Sequence, residues 1–589
     1  MRWRAPLADL RFVLHDHLRA SETLGALPGW EGLDRETMDR LLDEAARVAE
    51  KDLQPLNRPG DEHGCVFERG TVRTPPGFKE AFRRFADAGW CGLTADPEHG
   101  GQGLPRVMDT AILELWGSAN LSFSDYALLI SSAAETIARH ADPALTALYV
   151  PRLAAGEWAG TMCMTEPHCG TDLGLLKTRA DPQGDGSFRI SGTKIFISGG
   201  EHDLTPNIVH LVLARIAGAP EGTRGISLFL VPKIVPHANG ALGARNAVRA
   251  IGVEHKMGYA ASATCVMEFE GARGWLLGEA HRGLLHMFTM VNTARLAVGL
   301  QGLSLAEAAY RGAASYARER LQGRSPLGAR DSGKPADPLM AQPDVRRVLL
   351  SARAFTEAAR AVALECALGL DLAARHGDQA IRLRAGERAA LLTPAIKAGF
   401  SDLGFETCVA CMQLWGGHGY IRANGMEQYV RDVRLSQIQE GANAIQALDL
   451  FGRKVAKDGG RAFHALMDEI AAFAAGPCRS PALREFATPL AEAAEATSGL
   501  AQWISAQDDR HALGSAGVDA MRAFVLTLLA WTWARLVETA ERSGAPEIRL
   551  SKRTVARHFY ARLLPLAAGH AQAAKADPAV LMALGDEAV

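Results

Sequence analysis

The chain has 589 residues, with 64 Lys and Arg against 66 Asp and Glu, so it exceeds what one hydrophobic core serves and several packed units are expected. That charge balance gives no global field for steering onto nucleic acid or an anionic membrane, and any polyanion site must be local. The nine cysteines are an odd number, scattered from Cys65 to Cys478, which excludes a dense disulfide framework and fits a reducing cytoplasm.

In chain order, Met1-Arg2-Trp3-Arg4-Ala5-Pro6-Leu7 leads into charged, helix-like sequence without an apolar core or cleavage site, so no export signal is read in an amino-terminal arm over 1–33. Residues 34–158 read as a helical domain, with Met38, Leu41, Leu42 and Ala45 on one face. Glycine and proline break that pattern over 91–105, as a loop facing a site would. Over 159–280 the texture changes to short β-branched and aromatic runs, such as Lys194-Ile195-Phe196-Ile197 and Ile226-Ser227-Leu228-Phe229-Leu230-Val231. Strands without intervening helices predict a compact antiparallel barrel or sandwich. Helical spacing returns over 281–456, beginning with Met287, Met290, Val291 and Ala294, and predicts a helical bundle.

Residues 457–589 form a further helical domain, opened by a hinge or loop at Lys457-Asp458-Gly459-Gly460. The apolar run from Ala523 to Ala534 is bounded by Arg522 and Arg535 and falls short of the roughly 20 residues of a spanning helix, so it reads as a buried helix. Cys408 and Cys411 lie one helical turn apart in an apolar stretch and read as core; a zinc site would need a second ligand pair, and no metal is expected. The fold class is therefore α+β and mostly α, with helical, β and helical parts in that order and an extra helical domain at the end.

The segment from Val430 to Asn443 sets a lone carboxylate, Glu440, against Gly441, just after the turn Gly416-Gly417-His418-Gly419-Tyr420. Glu440 is the candidate catalytic base. Upstream lie Met162-Cys163-Met164-Thr165-Glu166-Pro167-His168-Cys169-Gly170-Thr171-Asp172 and Lys194-Ile195-Phe196-Ile197-Ser198-Gly199-Gly200. With these segments in this order, residues 35–455 resemble the acyl-CoA dehydrogenase family. The opening Ala5-Pro6-Leu7-Ala8-Asp9-Leu10, the stretch Glu319-Arg320-Leu321-Gln322-Gly323-Arg324 and the run Ile445-Gln446-Ala447-Leu448-Asp449-Leu450 resemble its longer branch, which carries an extra helical domain and includes enzymes acting on 3-methylthiopropionyl-CoA.

The resemblance implies FAD-dependent α,β-dehydrogenation of an acyl-CoA to a trans-2-enoyl-CoA, with Glu440 taking the α-proton and flavin N5 the β-hydride. An α-proton beside a thioester is weakly acidic, so a desolvated Glu with a raised pKa suits the base. In the family the backbone N–H at this position also polarises the thioester carbonyl, and Gly441 allows close approach to the cofactor. Some members carry the base on the long helix, before an arginine; here that residue is Ala294, before Arg295, which cannot take a proton.

The resemblance further assigns Met164, Thr165, Thr171, Phe196, Ser198, Ala442 and Asn443 to FAD. Arg320, Gln322, Gln413, Gly416 and Gly417 match positions that reach a neighbouring subunit's FAD. Thr171, Arg295, Gln439, Glu440 and Gly441 are assigned to the substrate. Departures from the family are Phe196 for tryptophan, Ala442 for threonine, Gln439 for tyrosine and a missing phenylalanine before Gly323. If Gln439 faces the acyl pocket, its amide needs a partner, since an unpaired buried polar group costs roughly 1–3 kcal/mol; this predicts a short or heteroatom-bearing acyl group.

Implied partners are the acyl-CoA, an electron-transferring flavoprotein as acceptor and further copies in a homodimer or homotetramer. Two alternatives within the superfamily stay open. One is a DNA-binding alkylation-response flavoprotein, against which residues 451–589 carry about 16 basic and 15 acidic side chains where phosphate binding needs clustered cations. The other is an acyl-CoA oxidase, which differs in oxygen access to the flavin.

Overall fold

In the computed structural model of the chain, residues 3–456, 459–476 and 481–588 are described. They divide into two compact units, one made of residues 1–46, 106–118 and 298–589 and the other of 47–105 and 119–297.

The second unit is organised around seven strands: β1 (Trp158–Cys163), β2 (Arg179–Pro182), β3 (Phe188–Ser198), β4 (Asn207–Ile216), β5 (Ile226–Pro232), β6 (Val248–Val253) and β7 (Thr264–Leu277). β7 pairs with β3, β3 with β2, β2 with β4, β4 with β5 and β5 again with β7, which closes a barrel. Bulges bend the β7–β3 pair toward closure, one on β7 between Glu270 and Ala272 and one on β3 opposite Cys265/Met267. The sheet is mixed rather than wholly antiparallel: β1 and β2 both pair with β4 in parallel. The chain leaves β1 through the 164–178 loop and β2 by way of β3, and crossovers of that length return strands in parallel where hairpins cannot. Phe229, Val231, Met267 and Phe269 fill the interior, and the helix Leu121–His140 packs against β1. An unforeseen two-stranded hairpin, Val66–Glu68 with Thr71–Arg73, interrupts the helices before the barrel.

Among the helices are α1 (Gly283–Glu319), α2 (Pro343–Arg375), α3 (Gln379–Ala395), α4 (Ser401–Gln413), α5 (Met426–Ser436), α6 (Arg510–Ser543) and α7 (Pro546–Arg562). α1 belongs to the second unit through Ala297 and to the first beyond it. The helices of residues 461–574 do not stand apart: Trp533 of α6 donates to the Ala354 carbonyl of α2 at 2.8 Å, and Arg535 pairs with Glu365 at 2.7 Å. α6 is the one helix, among the described residues, long and apolar enough to cross a membrane, and 67% of its apolar window is buried inside the protein, as a core helix would be. The predicted hinge at Lys457–Gly460 falls outside the described residues at Lys457 and Asp458, while Gly459 and Gly460 take left-handed φ values of 71° and 65° before the next helix.

The amino-terminal arm is held in the first unit by charge. Arg360, 1% exposed, pairs with Glu114 at 2.6 Å, with Glu307 at 3.2 Å and with Asp9 of the arm. Lys552 of α7 pairs with the same Asp9 and with Glu357 at 2.7 Å. Burial alone would raise the Asp9 pKa, but the two cations outweigh it and hold the carboxyl at about 2. These residues line a cavity of about 490 Å³ that includes none of the predicted site residues. Its wall carries cations and carboxylates in equal number, Arg311, Arg353, Arg360 and Lys552 against Asp9, Glu307, Glu357 and Glu547.

Candidate functional site

Apart from Arg295, the predicted site residues lie in three groups, each inside one compact unit. The first is the loop after β1 together with the end of β3. Thr165 and Ile195 are joined by a backbone bond of 2.9 Å, which ties the loop to β3. Beneath it Glu166, 3% exposed, accepts from Lys194 Nζ at 2.8 Å, from Thr178 Oγ at 2.5 Å and from the backbone N–H groups of Lys177 and Thr178 at 2.8 and 3.0 Å. Lys194, fully buried, also donates to Met164 O at 3.0 Å. Burial works to raise the Glu166 pKa, but Lys194 and these donors outweigh it and the net shift is downward. Glu166 is thus a fastener. His168 and Cys169 come close enough to it to form a three-ligand group, yet Glu166 already has its four donors and His168 is bonded to Leu175 O at 3.0 Å.

Above this lock Phe196 is the bulged residue of β3, where Ile197 pairs with Cys265 but Lys194 with Met267. Its φ is 58°, and its ring is 60% exposed. A left-handed backbone is costly for an aromatic residue, and bulges re-aim a side chain next to functional sites. Ser198, two residues on, is half-buried, as are Thr165, bonded to the neighbouring Ile195, and Met164, while Thr171 is exposed. A large apolar ring left exposed, with the hydroxyl residues Ser198 and Thr165 on the same strand end and the loop tied to it, fits a flat aromatic ring system with a polar rim, such as a flavin.

The second group is the turn that carries Glu440. α5 ends at Ser436, and the chain reverses through Glu440 (φ 54°) and Gly441 (φ 87°) before a short helix begins at Asn443. A glutamate in the left-handed region costs roughly 1–2 kcal/mol, so the turn has to be held. Gln446 Nε2 donates to Glu440 O at 3.1 Å and Gly441 O at 3.3 Å, and Lys397 Nζ donates to Gly441 O at 2.7 Å and Asn443 Oδ1 at 3.0 Å. Asn443 Nδ2 donates to Asp402 Oδ1 at 2.7 Å, which also accepts from Gln437 Nε2 at 2.6 Å. The Asn443 side chain therefore faces this inner network. Gln439 has a partner: its Nε2 donates to Gln301 Oε1 on α1 at 2.9 Å. Glu440, Gly441 and Ala442 are half-buried.

The third group lies at the end of α1. Arg320, Gln322, Gln413, Gly416 and Gly417 are all exposed. Tyr316 stacks on Trp415 at 4.2 Å and its hydroxyl meets His418 Nδ1 at 2.8 Å, which brings the end of α1 to the glycine turn. Gly417 has ordinary φ and open space where a Cβ would point, so nothing inside the chain requires glycine there, whereas close approach by an outside group would. Arg295, in the second unit, stacks over Phe288 at 5.6 Å, and Ala294 before it is buried.

Three residues that carry this geometry, Lys194, Lys397 and Gln301, were missed by sequence reading. Lys397 had a signal: a lone lysine inside Ala395-Ile396-Lys397-Ala398-Gly399-Phe400 has apolar neighbours on every side, and a lysine in such a run is buried with a purpose.

The chain matches four family domains in order: acyl-CoA dehydrogenase, N-terminal domain over 35–157, middle domain over 161–272, C-terminal domain over 281–454, and acetyl-CoA dehydrogenase C-terminal like over 466–585. It is 42% identical over 526 residues to a 3-methylmercaptopropionyl-CoA dehydrogenase of Ruegeria pomeroyi, covering 89% of this chain and 87% of that one. Among solved structures, Caenorhabditis elegans ACDH-11 in complex with C11-CoA aligns with a TM-score of 0.79 at 18% identity, over 95% of this chain and 92% of the other. An acyl-CoA dehydrogenase of Bacillus anthracis complexed with FAD aligns with a TM-score of 0.76 at 20% identity, over 96% and 91%.

Proposed function

The chain belongs to the acyl-CoA dehydrogenase family, a family of FAD-dependent oxidoreductases, and from that premise we propose that Glu440 is the base that removes the α-proton of its acyl-CoA substrate. The observation that carries this assignment is the turn itself: a half-buried glutamate held in a left-handed conformation by donors that grip its own carbonyl and the next one. Strain of this kind persists where the surrounding structure over-determines it, and such positions cluster at active sites. The alternative base position is occupied by Ala294.

FAD, when bound, supplies the acceptor for the β-hydride. Met164, Thr165, Thr171, Ser198 and the ring of Phe196 would hold its isoalloxazine, and the backbone at Ala442 and Asn443 would lie along it. Arg320, Gln322, Gln413, Gly416 and Gly417 would serve the FAD of a second copy, in a homodimer or homotetramer. Their common exposure supports that reading. Thr171, Arg295, Gln439 and Gly441 would line the thioester. Glu440 abstracts the proton, and its backbone N–H donates to the thioester oxygen, so that the charge developing on the enolate oxygen is stabilised.

For the acyl group we propose a short thioester of the 3-methylthiopropionyl type, and an electron-transferring flavoprotein in the cytoplasm as the acceptor. The relative's name supports the acyl group, and so does the Gln439–Gln301 amide pair next to Glu440, whose polar atoms would disfavour a long alkyl chain laid against them. The pairing changes the physical argument: the amide of Gln439 already has its bond, so selectivity rests on polarity and shape rather than on an unsatisfied group. Flavin bleaching by butyryl-, 3-methylthiopropionyl- and palmitoyl-CoA, compared in wild type and Gln439→Tyr, tests this. The short thioesters should bleach fastest in wild type, and the tyrosine should shift preference toward the longer chain. An optimum on palmitoyl-CoA in wild type contradicts the substrate reading, and bleaching by none of the three contradicts the activity.

A further inference from the structure

We infer that Lys397 is a positioning residue for Glu440, fixing the direction of the base through the carbonyl of Gly441; this deepens, and rests on, the reading of Glu440 as the base. Lys397 stands in a π-helical turn, Ile396–Phe400, between α3 and α4. Single π turns inside helices recur at functional sites because the extra residue pushes a side chain out of the regular register. Here the chain enters that turn after Pro394, which cannot donate to the preceding turn. Lys397 is fully buried, and keeping an ammonium away from water is costly unless its hydrogens are well used. Two go to the base-carrying turn: Gly441 O at 2.7 Å and Asn443 Oδ1 at 3.0 Å.

The geometry explains why a cation is placed there. Glu440 and Gly441 are consecutive left-handed residues with φ values of 54° and 87°, and relaxing either one swings the Glu440 side chain. A charged donor on the Gly441 carbonyl is about twice as strong as a neutral one. The π turn and the first residue of α4 brace Asn443, which donates to Ala398 O at 3.2 Å and Ser401 Oγ at 3.0 Å. Gln446 Nε2 also donates to the Gly441 carbonyl, at 3.3 Å, and to that of Glu440, at 3.1 Å.

The test compares Lys397→Met, Glu440→Gln and the double variant, each loaded with FAD and checked for folding by circular dichroism. Lys397→Met should bleach its flavin about 10-fold to 100-fold more slowly with acyl-CoA, the scale expected when a reacting group is misplaced by about an ångström. KM should stay within about threefold, and the isotope effect with α-deuterated substrate should rise as proton removal becomes limiting. In the cofactor-free protein, amide hydrogen exchange over residues 437–446 should quicken. The double variant should be no slower than Glu440→Gln alone, because Lys397 acts only through Glu440. If Lys397→Met does not accumulate folded, Gln446→Met releases the Gly441 carbonyl, and with it that of Glu440, without removing a buried charge and should slow bleaching about 3-fold to 10-fold.

An inactive Glu440→Gln beside a Lys397→Met within about twofold of wild type overturns the inference and leaves the base reading standing. So does a double variant slowed further by the full Lys397→Met factor, or an unchanged Gln446→Met where it carries the test. An active Glu440→Gln overturns the base reading and this inference with it.

Discussion

Two glutamates stand beside chain-reversing residues in this sequence, Glu166 before Pro167 and Glu440 before Gly441, and each has a fully buried lysine bonded nearby. Their uses differ. Lys194 donates to the Glu166 carboxylate itself, and with three further donors it turns the acid into a fastener with a lowered pKa. Lys397 donates to the carbonyl one residue past Glu440, so it grips the backbone and aims the acid. A buried lysine on the carboxylate makes structure; a buried lysine on the neighbouring carbonyl makes direction.

The comparison is tested hardest by replacing each acid with its amide. Glu440→Gln should keep its FAD and its thermal stability but lose turnover by roughly 100-fold to 10,000-fold, the usual scale for removing a general base. Glu166→Gln should do the reverse. It leaves Lys194 buried with a neutral partner, which costs roughly 3–5 kcal/mol, read as a lower urea midpoint, while the properly folded fraction turns over near the wild-type rate per bound FAD. Comparable kinetic losses in both variants would erase the distinction.

A smaller effect extends the fastener half of the comparison to the amino-terminal arm. Asp9, like Glu166, has its carboxylate on buried cations, Arg360 and Lys552, and its pKa falls from 3.8 to about 2. The folded state therefore binds this proton less readily than the unfolded state. The stabilisation is fully present above about pH 4 and is lost as pH falls toward 2, and it amounts to about 2 kcal/mol. Asp9→Asn should lower the unfolding free energy by that amount at pH 7, with the gap to wild type closing between about pH 4 and pH 2. A gap that stays constant with pH would show that Asp9 acts by packing and not by charge.

Periodicity alone made the mostly helical character, the strand-rich middle region and the long helix readable, since apolar residues at Met287, Met290, Val291 and Ala294 repeat at helical spacing and all are buried. The parallel pairings of β4 were not readable, because alternation within a strand says nothing of its neighbour's direction. The likeness to the family was legible from Thr165-Glu166-Pro167 and Glu440-Gly441, and the domain matches bear it out. What supports those motifs was hidden. Lys194 meets Glu166 across 28 residues, Lys397 meets Gly441 across 44, and Gln439 meets Gln301 across 138; only the folded chain brings them together.

The claim that Glu440 removes the α-proton is tested most directly by separating that step from hydride transfer. With its flavin reduced beforehand, the protein cannot accept a hydride, so deuterium entering the α-position of a saturated acyl-CoA in D2O, followed by NMR, reports proton removal alone. Wild type should exchange the α-hydrogens and Glu440→Gln, with equal FAD content, should not; exchange in Glu440→Gln at the wild-type rate would contradict the account.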